Sequence, residues 1–344
     1  MIDFAALPLW GLIALFAVSA GAVWAAGTRL AYYADAIARR TGIGSAALGV
    51  LLLGGITSSP EIAVAGSAAI TGNAELAVNN LLGGFAMQVA ILAFADALIR
   101  KGALTQAVPD PIVLLQGTLG MLLTALVAAG ITVGDIALFG AGIWSWGLFA
   151  AFLFSLRLVV QSEGNPSWKV IGQPPAEEVG QAEKGAERSA LGLYGRTALA
   201  GLTIFAMGYL LAQSGESIAE ETGLGQSFFG AVFVAIATSL PEISTVIAAI
   251  RIRRYVMAVS DIFGTNLFDI ALIFLVDLAY SGEPVLNTVG PFSVLAAMIG
   301  IVVTGIYMAG LIERRDPMVA GVGFDSLAVG TVYLGGIWML FNLR

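Results

Sequence analysis

The hexapeptide Thr57-Ser58-Ser59-Pro60-Glu61-Ile62 returns, 181 residues on, as Thr238-Ser239-Leu240-Pro241-Glu242-Ile243, and both copies lie inside long apolar runs. The same offset, without a gap, pairs Gly11 with Gly192, Gly27 with Gly208, Ala68 with Ala249, Ala77-Val78 with Ala258-Val259, Gly83 with Gly264 and Asp96 with Asp277. Self-similarity at one fixed period marks a duplicated unit. The 344-residue chain therefore reads as two copies of one architecture, each carrying a Pro-Glu pair in apolar surroundings.

Those surroundings are a membrane. Hydrophobic residues make up 58% of the chain and charged residues 11%, against roughly a quarter charged in a soluble domain. Apolar runs occupy residues 8–38, 45–70, 76–98, 111–130, 135–157, 190–215, 226–250, 255–279, 290–312 and 322–341, each long enough to cross a bilayer at about 20 residues per crossing. The fold class expected is an all-α integral membrane protein of ten transmembrane helices. The first run lacks a basic region before it and is read as a retained helix. The chain has 43 Gly and 11 Pro, the small and helix-bending residues of packed membrane helices. It has no Cys and no His, which removes disulfides, haem or zinc ligation and Ser-His or Cys-His catalysis. No Gly-x-Gly-Asp motif of an intramembrane aspartyl protease occurs either, so an enzyme is not expected, and no cofactor.

Basic residues order the crossings. Arg29, Arg39, Arg40, Arg100, Lys101, the group from Arg157 to Arg196, Arg251, Arg253, Arg254, Arg314 and Arg315 all fall on one side if the runs alternate, and only Arg344 does not. The positive-inside rule makes that side cytoplasmic and puts both termini outside. The polar stretch 160–189 becomes a cytoplasmic linker between a first repeat, 1–159, and a second, 190–344. Five helices are an odd number, so the second copy enters from the opposite face. Two inverted five-helix repeats are an architecture of secondary transporters, whose substrate site lies at the midplane on helices interrupted by Gly or Pro. The expected location is the plasma (inner) membrane, with inorganic cations and lipid as partners, no nucleic acid, and a monomeric state.

The chemistry sits on the repeat. Glu61 and Glu242 fall near the middle of the second and seventh runs, where a carboxylate costs several kcal/mol unless it faces a cavity or a cation. Pro60 and Pro241 each remove a backbone donor, so the helices should open at Thr57-Ser58 and at Thr238-Ser239, leaving carbonyls and hydroxyls as hard oxygen ligands. In the eighth run Thr265 and Asp269 share a face; their repeat partners are Gly84 and Gln88. Glu61 to Gln88 and Glu242 to Asp269 are both 27 residues apart, which returns each pair to similar depth. The expected cluster is Glu61, Gln88, Glu242 and Asp269, ringed by Thr57, Ser58, Thr238, Ser239 and Thr265. Oxygen donors without nitrogen or sulfur suit Ca²⁺ and Na⁺. Membrane Ser and Thr also bond their own backbone, so each hydroxyl has a structural alternative. Asp96 and Asp277 read as interfacial, Asp261 as a residue of the cytoplasmic end facing the ion entrance, with Asn79 and Asn80 its counterparts, and Trp10, Trp144, Trp146 and Trp338 as belt or packing residues.

At Gly54 to about Asp96 and Ala235 to about Asp277 the sequence resembles the cation/calcium exchanger superfamily, the group that contains the sodium/calcium exchangers, in its prokaryotic form. The family pattern is roughly Gly-Thr-Ser-x-Pro-Glu followed by Gly-Ser-Asn and, a turn later, Asn or Asp. Gly264-Thr265-Asn266 with Asp269 fits it; Gly83-Gly84-Phe85 with Gln88 departs from it. The resemblance implies Ca²⁺ ligation by Glu61 and Glu242 with carbonyls near Thr57 and Thr238. It also implies Na⁺ ligation by Thr57, Ser58, Thr238, Ser239 and Thr265 beside Asp269, with the first and sixth helices sliding against the other eight. The first expectation is a Ca²⁺/Na⁺ antiporter; the alternative is an exchanger of Ca²⁺ or another divalent ion for H⁺, with a cation channel third. Pro-Glu resembles the sodium branch, whereas Gly84 and Gln88 point toward protons.

Overall fold

A computed structural model describes residue 4 and residues 7–99, 102–108, 110–163, 190–222, 236–314, 317–319 and 321–343. The chain begins with α1, Leu9–Thr41, whose 33 residues extend about 50 Å at 1.5 Å per residue. That exceeds a hydrocarbon core of about 30 Å, so α1 tilts or projects beyond it. Gly42 ends it in the left-handed conformation at φ 73°, its N–H bonding Ala38 O.

The second span is a bent pair, α2 (Ser45–Thr57) and α3 (Ser59–Ile70), meeting at 44°. Pro60 stands in the first turn of α3, where its missing N–H and its ring are tolerated. There follow α4 (Ala74–Asp96), the single turn α5 (Leu104–Ala107), α6 (Ile112–Val133) and α7 (Ile143–Ser162). The second half has α8 (Ala190–Glu221), α9 (Leu240–Arg251), α10 (Tyr255–Ala279), α11 (Pro291–Glu313) and α12 (Phe324–Leu343). Eight helices are long and apolar enough to cross a membrane among the described residues, nine with the bent pair. The seventh predicted run, 226–250, is described only from residue 236, and most of the predicted linker, 164–189, lies outside the described residues.

Two predicted starts move. Hydropathy starts the fifth and tenth runs at residues 135 and 322, but two-residue hairpins, Ala137–Leu138 with Ala141–Gly142 and Met318–Val319 with Val322–Gly323, precede α7 and α12. Periodicity cannot see them because hairpin and helix are equally apolar here. The helix α7 also continues to Ser162, into the stretch read as linker.

The helices α4 and α10 are the most buried of the candidate spans, and α1 and α12 among the least. One core joins Val89, Leu92, Ile262, Phe263, Val303 and Tyr307 of α4, α10 and α11; a separate one joins Leu30 of α1 to Leu193 and Ile204 of α8. Outer faces carry exposed Trp10, Phe154, Leu334 and Trp338, as lipid contact requires. Trp146, also exposed, donates from Nε1 to Leu138 O at 2.9 Å.

Long-range bonds sort the loops into two ends. At one, Arg254 Nε bonds Asp35 Oδ1 at 2.6 Å, Arg39 pairs with the same carboxylate, and Arg314 Nη1 bonds Val108 O at 2.8 Å. At the other, Asn79 meets Ser293 at 2.5 Å and Asn287 bonds Asp135. The described loop arginines gather at the first end, as the alternation of the sequence requires.

Candidate functional site

Close backbone contact builds the site. Residues Gly49–Gly54 of α2 wind as a π-helix against α10, a widened turn of a kind that recurs at functional sites. A Cβ at Gly54 would lie 2.7 Å from Thr265 N, and one at Gly264 would lie 2.5 Å from Val50 Cα. Only glycine allows that approach, and it brings the Thr57 and Thr265 hydroxyl oxygens to 3.1 Å.

Both Pro-Glu motifs interrupt their helices where expected, at Ser58 with ψ 0° and at Ser239 with ψ 6°. The freed carbonyl fares differently in each. The Ser59 hydroxyl donates to Ile56 O at 2.6 Å, whereas the repeat places Leu240, without a hydroxyl, at the matching position.

All nine residues singled out from the sequence are buried. Gln88 Nε2 donates to Asp269 Oδ2 at 2.9 Å, and the Ser58 hydroxyl approaches the same carboxylate. Glu61 lies within electrostatic range of Asp269, and Glu242 within range of Glu61, Asp261 and Asp269. Among the described residues no basic side chain enters the surroundings of these three carboxylates. Glu61 Oε2, Gln88 Oε1, Ser239 Oγ, both Glu242 oxygens and Asp269 Oδ1 are buried without a protein partner. Among the described residues no three carboxylates stand close enough to close a shell by themselves. An ion held here would take hydroxyl, amide and carbonyl oxygens as well, as hard cations do. Three hydroxyls are already engaged with backbone, Thr57 with Gly54 O at 3.4 Å, Ser58 with Gly54 O at 2.9 Å and Thr265 with Asp261 O at 3.0 Å.

Three features went unseen in the sequence. Asp96 and Asp277 lie at helix ends as read, but both are buried, and each binds two backbone donors. Asp96 accepts from Leu104 N at 2.5 Å and Gly323 N at 2.7 Å; Asp277 accepts from Val285 N at 2.9 Å and Gly142 N at 2.8 Å. Each contact is the other shifted by 181, so every Asp staples its own loop to a hairpin of the opposite half. Gly27 of α1 packs on α9, where a Cβ would lie 3.2 Å from Pro241 O, and Gly208 of α8 packs on α3, where a Cβ would lie 2.5 Å from Pro60 Cγ. The offset pairs those glycines and those prolines without saying that they touch. Asp261, finally, is fully buried and accepts from the Thr245 hydroxyl; it is not exposed at an entrance.

Similarity to known proteins agrees with this plan. The chain is 27% identical over 259 residues, 73% of its length and 75% of the relative's, to a candidate antiporter, CaxA, of Alkalimonas amylolytica. It is 26% identical over 325 residues, 90% of each chain, to the inner membrane protein YrbG of Escherichia coli. Its fold matches the sodium-calcium exchanger NCX_Mj soaked with Na⁺ and Sr²⁺ at a TM-score of 0.69 and 16% identity, over 96% of this chain and 99% of that one. With Na⁺ and no Ca²⁺ in the soak the TM-score is 0.68, again at 16% identity, over 98% and 100%. Residues 11–161 and 193–339 match the sodium/calcium exchanger protein family, membrane ion exchangers rather than enzymes, and to that family this chain belongs.

Proposed function

We propose that the chain is a secondary antiporter that moves Ca²⁺ across the membrane in exchange for Na⁺, loading one buried oxygen cluster with either ion in turn. The observation that supports this most is the set of buried, unpartnered oxygens on Glu61, Gln88, Glu242 and Asp269 with no basic side chain among them in the described residues. Such a set is costly when empty and charged, and a hard cation offsets the cost. Glu61 and Glu242 are the proposed Ca²⁺ ligands. Thr57, Ser58, Thr238, Ser239, Thr265 and Asp269 are the proposed Na⁺ ligands, and Gln88 completes the ring.

In this reading the chain has ten crossings in two inverted repeats, 1–159 and 190–344, joined by a cytoplasmic linker, with both termini outside, and works as a monomer in the bacterial-type inner membrane. The contacts of Gly27 with α9 and of Gly208 with α3 support α1 and α8 as the moving pair, since each rests on the proline that opens a site helix in the other half.

A second reading, exchange of Ca²⁺ or another divalent ion for H⁺, is favoured by the first repeat. Gly84 supplies no hydroxyl, and the Gln88 amide N–H engages Asp269 Oδ2, which leaves fewer free oxygens for Na⁺. The deciding experiment is ⁴⁵Ca uptake into proteoliposomes with Na⁺ and pH gradients imposed separately, on wild type and on Glu61→Gln and Glu242→Gln protein shown to be monodisperse. Uptake driven by Na⁺ and lost in both variants is the expected result. Uptake driven only by pH replaces Na⁺ with H⁺, and near-normal uptake by either variant rejects the shared site.

A further inference from the structure

Asp261 is a fourth buried carboxylate that the central cluster does not use. It lies eight residues before Asp269 on α10, about 12 Å along the helix axis, toward the end that carries Arg251, Arg253 and Arg254. One oxygen accepts from the Thr245 hydroxyl; the other, Oδ1, is buried without a partner. Thr245 sits on α9 one turn beyond Glu242, whose two oxygens are also unpartnered and within electrostatic range of Asp261. A chain of carboxylate, hydroxyl and carboxylate thus leads from the central cluster toward the arginine-bearing end. Among the described residues, the equivalent positions toward the opposite end form no such chain. The repeat puts Asn80 where Asp261 stands and Val64 where Thr245 stands, so the matching positions offer a neutral amide and a methyl surface.

We propose that Asp261 and Thr245 form, with Glu242, a second cation position, a one-sided waystation that a divalent cation occupies between the central cluster and the arginine-bearing face. This rests on the cation-exchange reading of the central site and adds a sidedness to it. An unpaired buried carboxylate is expensive unless a cation or proton neutralises it. The protein oxygens here are too few for the six to eight that Ca²⁺ takes, so waters complete the shell and the ion is held weakly enough to leave. Weak holding on one face only means that ion entry from that face, and not from the other, depends on the Asp261 charge.

The test is ⁴⁵Ca uptake against external Ca²⁺ in right-side-out and inside-out membrane vesicles, with the arginine-bearing face assigned by labelling of Arg253→Cys in the Cys-free chain. Asp261→Asn keeps an acceptor for Thr245 and removes the charge. It should raise the half-saturating Ca²⁺ concentration roughly five- to tenfold in the vesicles whose medium faces Arg253, and change it less than about twofold in the other type. Equal shifts on both faces, or no shift on either, overturn the waystation while leaving the exchanger reading intact. Absence of Ca²⁺ flux in wild type overturns both. If Asp261→Asn does not fold, Thr245→Val and Thr245→Ser carry the same comparison. Val should raise the half-saturating concentration on the Arg253 face and Ser should not; identical behaviour of Val and Ser overturns the proposal.

Discussion

Gln88 donates to Asp269, the residue that occupies its own position in the other repeat, so the two halves of the chain meet at a 2.9 Å bond between an amide and a carboxylate. Two acids at this point would repel, and two amides would provide no charge for a cation. The pair is unequal, and the inequality extends to the helix turn before it, where Gly84 stands opposite Thr265.

A Cβ added at Gly84 would lie 3.7 Å from Asp269 Oδ2 and 3.9 Å from Gln88 Nε2, ordinary contact distances. Gly84→Ser therefore fits and brings a hydroxyl beside the pair. In a Na⁺-coupled exchanger it should raise apparent Na⁺ affinity or steepen the Na⁺ dependence, while Thr265→Ala should lower both and Asp269→Asn lower them further. Changes of roughly three- to tenfold are expected for one oxygen ligand gained or lost. Ca²⁺ flux against Na⁺ concentration at fixed pH reads them, and an unchanged curve for Gly84→Ser would place the Na⁺ site away from this turn.

The aspartate staples predict stability. Replacing Asp277 by Ala strands the N–H groups of Gly142 and Val285 in a buried position, and Asp96→Ala does the same to Leu104 and Gly323. Each orphaned donor costs about 1–3 kcal/mol. Both variants should melt clearly lower in detergent, and Asp277→Asn, which keeps one acceptor oxygen, should fall in between. A wild-type melting temperature for either alanine variant would contradict the staple.

Gly208 and Gly27 should respond unequally to alanine. At Gly208 the new methyl meets the Pro60 ring, which cannot turn aside; at Gly27 its nearest neighbour is the Ser244 hydroxyl, which can rotate at the loss of its bond to Pro241 O. Overpacking costs about 1–3 kcal/mol, so Gly208→Ala should show the larger loss of melting temperature and of flux. Equal losses would mean that the two helices seat alike on their prolines.

Glu163, beyond the end of α7, accepts from Ala47 N at 2.9 Å and so caps α2. Burial and then the Asp110 carboxylate push its carboxyl above the ordinary value of 4.5, against the opposing bonds from Ala47 and Ala46. A carboxyl with a higher pKa folded than unfolded contributes stability that is full below about 4.5 and is lost as pH rises through the raised value. Glu163→Gln keeps an oxygen for Ala47 and drops the charge. It should be at least as stable as wild type near neutral pH, with a flatter dependence of melting temperature on pH above about 4.5. A lower midpoint at neutral pH would show that the attraction of the helix N-terminus for the charge outweighs its burial.

The proposed orientation predicts labelling. Thr71→Cys and Glu283→Cys, both exposed at the end without arginines, should react with an impermeant thiol reagent in right-side-out vesicles, and Leu98→Cys and Arg253→Cys should not. The reverse pattern would turn the protein over in the membrane.

By itself the sequence determines the consequences of apolar composition and of duplication. Long apolar runs with few charges have no stable place but lipid, a proline inside such a run breaks it near Ser58 and Ser239, and a repeat of 181 residues ties Glu61 to Glu242 and Gln88 to Asp269 as equivalents. Equivalence is not contact, and contact needed the tertiary structure. Only the packing of α2 on α10 at Gly54 and Gly264 brings Thr57 to Thr265. Only the closure of one half on the other turns Asp96 and Asp277 into staples, and only the packing of α9 on α10 sets Asp261 against Thr245. The two hairpins were hidden for the same reason: in apolar surroundings hydropathy reports burial in lipid and is blind to which backbone donors find partners, and those partners lie up to 227 residues away in the chain.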